Sequence, residues 1–538
     1  MEPDKIKTLS FNIGIWNLYF ITKLIMSIKG SIGFSPLYNF TLFVFFLIPT
    51  KKGMPEILKN FIGFCLAISC LYYDSFLPPL ARFVEQFSQL QQFDSTYLIE
   101  ILFRFIDQDT LVFFAFLSIT YYLANKIFKV TSFVLIAMLY ISFIQQSQPF
   151  FIQSEQAPRH TLQSTTNTLV KQKNESQSDL DLNQLKSDFF INEESKTSTL
   201  HSKLSLGSNF DILLLNICSI AWDDLDLTGQ INHPLFDEFD IFFENFNSAT
   251  SYSGPAIIRL LRASCGQQEH TDLFSPPNNK KCLLFQNLEK IGFKNELILN
   301  HDGNFGNFMT HISNNVGGIK SKVDLKSLQP YQKSFDGSSI YRDFTILTKW
   351  LTEYSSPQNA PTITLYNSIS AHDGNRIIRN DTNGSLLSYK KQQKNILDDL
   401  YNFMDQLKKS QRNFVVVFVP EHGAALRGDK MQIQGMREIP TRIITHVPVG
   451  IKLLGSKLNL QGGSIKLNQP SSYLAISDLI GNIITHDIFS GKPFHLTELV
   501  NDLDHVEFLS QNQGTTMMNV QGSYYLTLDN KNWIQYSE

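Results

Sequence analysis

Phe414-Val415-Val416-Val417-Phe418-Val419, followed by Pro420-Glu421-His422, is an unbroken apolar run closed by a carboxylate and an imidazole. A run of β-branched and aromatic residues without polar alternation reads as a strand buried on both faces. Such strands belong to a mostly parallel sheet inside an α/β domain. Two other stretches repeat the pattern. Phe210-Asp211-Ile212-Leu213-Leu214-Leu215-Asn216-Ile217 ends on Cys218, and Ile363-Thr364-Leu365-Tyr366-Asn367-Ser368-Ile369 is followed by His372. In open α/β sheets ligands bind beyond the carboxyl ends of the strands. The reading therefore brings Cys218, His372, Glu421 and His422 to one sheet edge. A thiol, two imidazoles and a carboxylate suit zinc.

Outward from these strands, the stretch from about 209 to the end alternates strands with helices, for example an amphipathic helix over Gln392–Leu407. No internal repeat, GxGxxG or P-loop is present. With 538 residues the chain exceeds one ordinary core, and its net charge of −3 gives no support for a nucleic-acid partner.

The first 147 residues are of another kind. Of the apolar stretches at about 11–31, 34–50, 56–73, 109–125 and 130–146, several approach the ~20 residues that a membrane-crossing helix needs, while the second is short and reads as a span, a re-entrant segment or a partner packed tightly on the first. Trp16, Tyr19, Tyr72, Tyr73, Tyr121 and Tyr122 sit where interfacial aromatics belong. A signal peptide would not recur five times. Lys5 and Lys7, then Lys51, Lys52 and Lys59, then Lys126 and Lys129 fall on one side if there are five spans. The positive-inside rule puts that side in the cytoplasm and everything after residue 148 outside, in the periplasm of a cell with an outer membrane. Lys23 and Lys29 dissent, and are read as snorkelling from helix ends. The expected organisation is a multi-span helical membrane domain (1–147), an extracytoplasmic linker (148–208) and a catalytic α/β domain (209–538). The linker is rich in Ser, Gln, Asn, Thr and Lys, and the hydrophobic patches Leu180-Asp181-Leu182 and Phe189-Phe190-Ile191 lead to the expectation of one short helix near 180–195 that docks on a neighbour.

Asn247-Ser248-Ala249-Thr250-Ser251-Tyr252-Ser253-Gly254-Pro255 leads into Ala256-Ile257-Ile258-Arg259-Leu260-Leu261-Arg262, a helix with one apolar face. Pro255 is tolerated in the first turn. Ser253 thus lies at or beside the helix start, where free N–H groups receive a phosphate. The plain alternative is N-capping by a serine. Beside a metal site, Ser253 becomes a candidate nucleophile. His372 is followed by the turn Asp373-Gly374-Asn375-Arg376. It either ligates zinc or contacts the phosphoryl group and handles the proton of the leaving oxygen; the residues leave both open. Arg437 is a candidate phosphate clamp. His301, His311 and His446 are weaker candidates, read as structural. Cys265 and Cys282 lie close in sequence in the extracytoplasmic part, where a disulfide forms readily. Cys218 then stays unpaired, as a ligand should. Cys65 and Cys70 fall in an apolar segment and read as packing residues.

At these residues the chain resembles the phosphoethanolamine transferases encoded with bacterial cellulose synthase. The resemblance runs through Gly14-Ile15-Trp16-Asn17-Leu18-Tyr19-Phe20, Leu215-Asn216-Ile217-Cys218-Ser219, Phe246 to Pro255, Leu260 to Gly266, His372 to Arg376 and Val419-Pro420-Glu421-His422-Gly423. It implies an alkaline-phosphatase-like α/β domain on an inner-membrane anchor. Cys218, Glu421 and His422 match the family's zinc ligands, and Ser253 its metal-activated nucleophile. His372 and Arg437 match residues near the transferred phosphate, and Tyr252 lines the same pocket. The implied donor is phosphatidylethanolamine, the implied acceptor the glucosyl 6-hydroxyls of cellulose, and the implied partner the membrane-bound cellulose synthase complex. Relatives acting on lipid A use threonine and Asp-His, so Ser253 with Glu421-His422 points to the cellulose branch. A transferase for lipid A or another glycan, a phosphodiesterase, and a non-catalytic scaffold of a synthase complex are the alternatives.

Overall fold

The computed structural model describes residues 12–29, 32–51, 53–75, 92–105, 108–147, 179–198, 200, 207–277, 279–354, 360–378 and 385–537. Lys5, Lys7, Lys52 and the linker residues 148–178 and 201–206 lie outside them.

Among the described residues the N-terminal part forms the helices α1 (Trp16–Ile28), α2 (Pro36–Leu47), α3 (Met54–Asp74), α4 (Ser95–Phe105), α5 (Gln108–Ile127) and α6 (Val130–Ser147). All five apolar stretches thus form helices, but their lengths do not give five spans. With 13 and 12 residues, α1 and α2 reach only about 20 Å and 18 Å at 1.5 Å per residue, short of a ~30 Å hydrocarbon core. Prolines at 36 and 49 bracket α2 and limit it. Among the described residues α3, with 21 residues, is the one helix long and apolar enough to cross alone; 111–127 and 130–144 pass the same test only as a pair, bent by 112°. Gly63 lets α3 approach α2, since a Cβ there would stand 2.4 Å from the Phe46 ring. Lys23 does not snorkel. It is 1% exposed, with Nζ 2.7 Å from Asp74 Oδ2 and donating to the Cys70 carbonyl at 3.0 Å. A lysine inside an apolar bundle needs such a counter-charge, and Asp74 at the end of α3 supplies it.

Helix α7 (Asp179–Ser195) falls where the short helix was expected. Beyond it runs a seven-stranded sheet built from β1 (Asp211–Ile217), β2 (Ile241–Asn247), β3 (Lys294–Leu299), β4 (Thr362–Ser368), β5 (Phe414–Pro420), β6 (His446–Leu454) and β7 (Ile465–Leu467). Its order is β7-β2-β6-β5-β1-β4-β3. Only β6 runs against the rest. The three strands read from sequence are neighbours at its centre, β5-β1-β4. β1 is buried along its whole length: Ile212 and Leu214 enter one core, Leu213, Leu215 and Ile217 the other. That double burial is why its sequence is apolar without alternation.

Two helices flank the site: α8 (Ser253–Leu261) and α9 (Ser385–Lys409). The chain ends in an antiparallel meander, β8 (Leu509–Asn512), β9 (Thr515–Val520), β10 (Ser523–Thr527) and β11 (Trp533–Tyr536). α7 packs on that meander: Leu182, 2% exposed, clusters with Leu509, Met518 and Trp533. The Trp533 indole N–H donates to Asn183 Oδ1 at 3.0 Å. Cys265 and Cys282 are disulfide-bonded, and Cys218 is free and buried.

Candidate metal centre and nucleophile

Parallel pairing of β1 with β4 and β5 sets three strand ends side by side, and backbone bonds continue past the ladder. Cys218 N–H donates to the Ser368 carbonyl at 2.8 Å, and Glu421 N–H to the Ile217 carbonyl at 2.9 Å. Ser219 then takes φ = 60°, an uncommon conformation for a residue with a Cβ, and turns the chain away from the sheet. Cys218, Glu421 and His422 are thereby gathered. One ligand atom from each lies within 4.8 Å of the others, and all three residues are buried.

Two contacts at one nitrogen compete to set the tautomer of the histidine, and we assign it from the shorter one, to a carbonyl. His422 Nδ1 lies 2.8 Å from the Gly423 carbonyl and 3.2 Å from Arg437 Nη1. A carbonyl requires N–H there. Placing the proton on Nδ1 leaves the Nε2 lone pair free, as metal-binding histidines are held by their outer partners. Nε2 is the nitrogen that faces the other donors: Cys218 Sγ at 4.0 Å and Glu421 Oε2 at 3.9 Å. Glu421 Oε1 accepts from Asn367 Nδ2 at 2.6 Å, whereas the buried Oε2 has no hydrogen-bond partner.

Electrostatics asks for a cation here. Burial, reinforced by Glu421, pushes the Cys218 thiol up to about 12. Burial likewise pushes Glu421 up to about 7, and burial with Arg437 holds His422 well below its ordinary value. Protein groups alone would leave protons on the thiol and the carboxyl. A sulfur, a nitrogen and an orphaned carboxylate oxygen within reach of one point fit zinc, whose binding displaces those protons.

Ser253 stands beside this cluster. Its Oγ is 3.3 Å from His422 Nε2 and 3.5 Å from Cys218 Sγ. Tyr252 is extended, Ser253 is the first residue of the nine-residue α8, and Pro255 is the third. The approach to α8 is tied from outside. Asn512, at the end of β8, donates from Nδ2 to Ser251 Oγ and to the Arg437 and Glu438 carbonyls, at 2.6, 3.0 and 2.9 Å. It thus joins the serine loop to the arginine loop.

Beyond β4, His372 lies apart from the three-donor cluster and faces Arg437. Its Nδ1–H donates to the Asp373 carbonyl at 2.5 Å, and its Nε2 accepts from Arg437 Nη2 at 3.3 Å. Phe335 stacks on the ring at 4.1 Å. Burial, followed by Arg437, pushes His372 down to about 3, so it is neutral at physiological pH. Arg437 therefore bridges the two imidazole loops. Its guanidinium carbon lies 5.8 Å from the centre of the Tyr252 ring, and the Tyr252 hydroxyl donates to Glu438 Oε1 at 2.5 Å. Tyr252 thus supports the clamp with its ring, while its hydroxyl is taken up by Glu438.

Of the weaker histidines, His301 is joined to the cluster indirectly, through Asn367 Oδ1 at 2.8 Å. His311 lies beside Gly254, and His446 Nε2 donates to the Glu244 carbonyl at 2.7 Å. Sequence reasoning missed Asn216 and Asn367. They face each other in register and bond at 2.8 Å, and Asn367 reaches Glu421. A signal existed: one asparagine interrupts the runs of β1 and β4, each one residue before the strand end. Asn512 carries no such mark.

Comparison with known proteins gives concordant matches in sequence. Residues 16–143 match the cellulose biosynthesis protein BcsG N-terminal domain, and residues 165–533 the BcsG C-terminal domain. The chain is 34% identical over 540 residues to cellulose biosynthesis protein BcsG of Salmonella typhimurium, covering 97% of this chain and 96% of the relative. The same identity and coverage hold for BcsG of Escherichia coli. Among solved structures, an alkaline phosphatase superfamily protein from Vibrio parahaemolyticus aligns with a TM-score of 0.44 at 14% identity, over 66% of this chain and 87% of that one. The zinc complex of the C-terminal periplasmic domain of EcEptC from Escherichia coli aligns with a TM-score of 0.40 at 15% identity, over 58% and 92%.

Proposed function

The chain belongs to the BcsG family of cellulose biosynthesis proteins, and on that premise we propose that it is a membrane-anchored, zinc-dependent transferase of the alkaline phosphatase superfamily. It moves phosphoethanolamine from phosphatidylethanolamine to the glucosyl 6-hydroxyls of cellulose. The observation that carries this reading is Ser253 Oγ at the helix start, 3.3 Å from His422 Nε2 and 3.5 Å from Cys218 Sγ. A scaffold subunit would have no use for a thiol, a carboxylate and an imidazole gathered around one point beside a serine hydroxyl.

Cys218, Glu421 and His422 would hold the zinc, which supplies positive charge that lowers the serine pKa and neutralises phosphoryl oxygens. The residues do the rest in two displacements. Ser253 Oγ bonds to phosphorus as the bond to the diacylglycerol oxygen breaks, and the serine proton leaves with that oxygen. Phosphoethanolamine is then an ester on Ser253. Next a cellulose 6-hydroxyl oxygen bonds to phosphorus, the Ser253 oxygen leaves, and the hydroxyl proton passes to the neutral His372 Nε2 and on to the serine. Arg437 and the free N–H groups at the start of α8 hold the non-bridging oxygens throughout. An anchor in the inner membrane, beside the cellulose synthase complex, keeps a lipid donor and a membrane-extruded acceptor at high local concentration, with the catalytic domain in the periplasm.

The test uses the full chain in phosphatidylethanolamine nanodiscs without acceptor. Intact-mass measurement is expected to find one phosphoethanolamine on Ser253 and none in Ser253→Ala. Solid-state NMR of cellulose from cells carrying that variant is expected to lack the substituent. A wild-type protein that never acquires the adduct, or an S253A protein that still decorates cellulose, contradicts the proposal.

A further inference from the structure

Residues 92–105 precede the apolar helix α5 in sequence yet lie against the loop that carries His372. The Asp94 N–H donates to the Phe335 carbonyl at 2.9 Å. The Phe93 ring packs on Phe335 at 5.5 Å, and Phe335 is the ring stacked on His372. Along α4, Tyr97, Glu100 and Arg104 share one face, at spacings of three and four. Tyr97 covers Gly374, where a Cβ would come within 2.5 Å of the ring. Glu100 is ion-paired with Arg376. Arg104 grips Asp373 with both arms, Nη1 to Oδ2 at 2.6 Å and Nη2 to Oδ1 at 3.0 Å.

This contact is specific in charge as well as shape. α4 presents an acid and a base one turn apart, and the His372 loop presents a base and an acid to meet them. A slip of one turn would bring Glu100 against Asp373. The bidentate pair is mostly buried, with the two side chains 11% and 5% exposed, so removing Arg104 would strand a buried carboxylate. Asp373 is also the residue whose carbonyl holds His372 Nδ1–H. Arg104 Nη1 further rests against Gly435, two residues before Arg437, where a Cβ would stand 2.3 Å away. One guanidinium thus touches both loops that bear the phosphate-side groups.

We propose that α4 is a positioning element for the transfer reaction, with Arg104 its key positioning residue: it locks the His372 and Arg437 loops together, so the active site is complete only when the membrane-side half of the chain is docked. This rests on the transferase reading above. Because α5 follows α4 after two residues, the same contact holds the catalytic cleft at a fixed place relative to the apolar helices where a lipid donor would lie.

The test compares full-length wild type, Arg104→Met and Arg104→Lys in nanodiscs. It measures zinc content, hydrogen–deuterium exchange of peptides covering 369–377, and kcat and KM on p-nitrophenyl phosphoethanolamine. R104M is expected to keep zinc, to exchange faster at 369–377, and to lose ~10- to 100-fold in kcat with KM little changed, the size of effect that a small misplacement of a catalytic group produces. R104K is expected to recover part of both. Wild-type kcat or unchanged exchange in R104M overturns the proposal. If wild type does not cleave the probe, the transferase reading fails instead, and exchange alone decides whether α4 holds the loop. Should R104M not accumulate, Glu100→Gln weakens both the Arg376 pair and the hold of Glu100 on Arg104 Nη2 at 3.0 Å, and is read on the same measurements with smaller effects expected.

Discussion

Glu421 sets the charge balance of the site, because it is the one donor whose protonation changes near neutral pH. Without metal its carboxyl is pushed up to about 7 by burial, and the Cys218 thiol to about 12, while His422 stays neutral. The sign follows from linkage. The native state holds the Glu421 proton more tightly than the unfolded chain, so Glu421 contributes stability to the metal-free protein that is lost as pH rises from about 4.5, the ordinary value, through about 7. Metal binding must expel that proton and the thiol proton. Zinc affinity is therefore expected to rise ~100-fold per pH unit below about pH 7 and ~10-fold per unit above it. Chelator competition at several pH values checks this, and Glu421→Gln is expected to reduce the lower slope to ~10-fold. A pH-independent affinity would contradict the assignment of the ligands. These residues were legible because each closes a conspicuous apolar run. Arg104 and Asn512 were not, since each acts across more than 70 residues of chain and neither stands in a local pattern.

At the scale of elements, α7 docks as its hydrophobic patches lead one to expect, and packing adds the identity of the neighbour. Its sequence is polar enough to read as part of a tether, yet Leu182, Phe189 and Phe190 sit on the terminal meander. Leu182→Ala is expected to destabilise the fold by about 2–5 kcal/mol, seen as a lower unfolding midpoint and faster proteolysis near residue 195, with zinc content unchanged. An unaltered midpoint would mean that α7 is not part of the folded unit. The Cys265–Cys282 bridge closes a loop with a separation of 17, so replacing both by alanine is expected to cost about 3 kcal/mol on chain-entropy grounds, checked by the same unfolding measurement. The central strands were readable because double burial leaves an unbroken apolar signal. The terminal meander gave no comparable signal: its strands are short and rich in Ser, Thr, Asn and Gln. The reversed direction of β6 was equally hidden, since an apolar run does not record strand polarity.

For the whole molecule, the proposed topology, with the N-terminus in the cytoplasm, makes the side of the site depend on the number of spans: an odd number puts it outside and an even number inside. Apolar composition marked five of the six described N-terminal helices and missed α4, and helix length depends on prolines and turns that composition averages away, so among the described residues only α3 is long enough to cross alone. Two independent features still agree on the side. Lys51 and Lys59 flank the start of α3, the end that the positive-inside rule keeps in the cytoplasm, while its far end carries no basic residue in the last turn. The disulfide between Cys265 and Cys282 is of the kind that persists in oxidising compartments. Alkaline phosphatase is active only where its own disulfides form. Fused after residue 160 it is therefore expected to be active, and fused after residue 51 inactive. Green fluorescent protein, which matures on the cytoplasmic side, should give the reverse. Activity at 51 with silence at 160 would invert the molecule and place the serine and its three neighbouring donors in the cytoplasm. The nascent polysaccharide could not reach them there, and the proposed acceptor would have to be abandoned even if the serine chemistry stood.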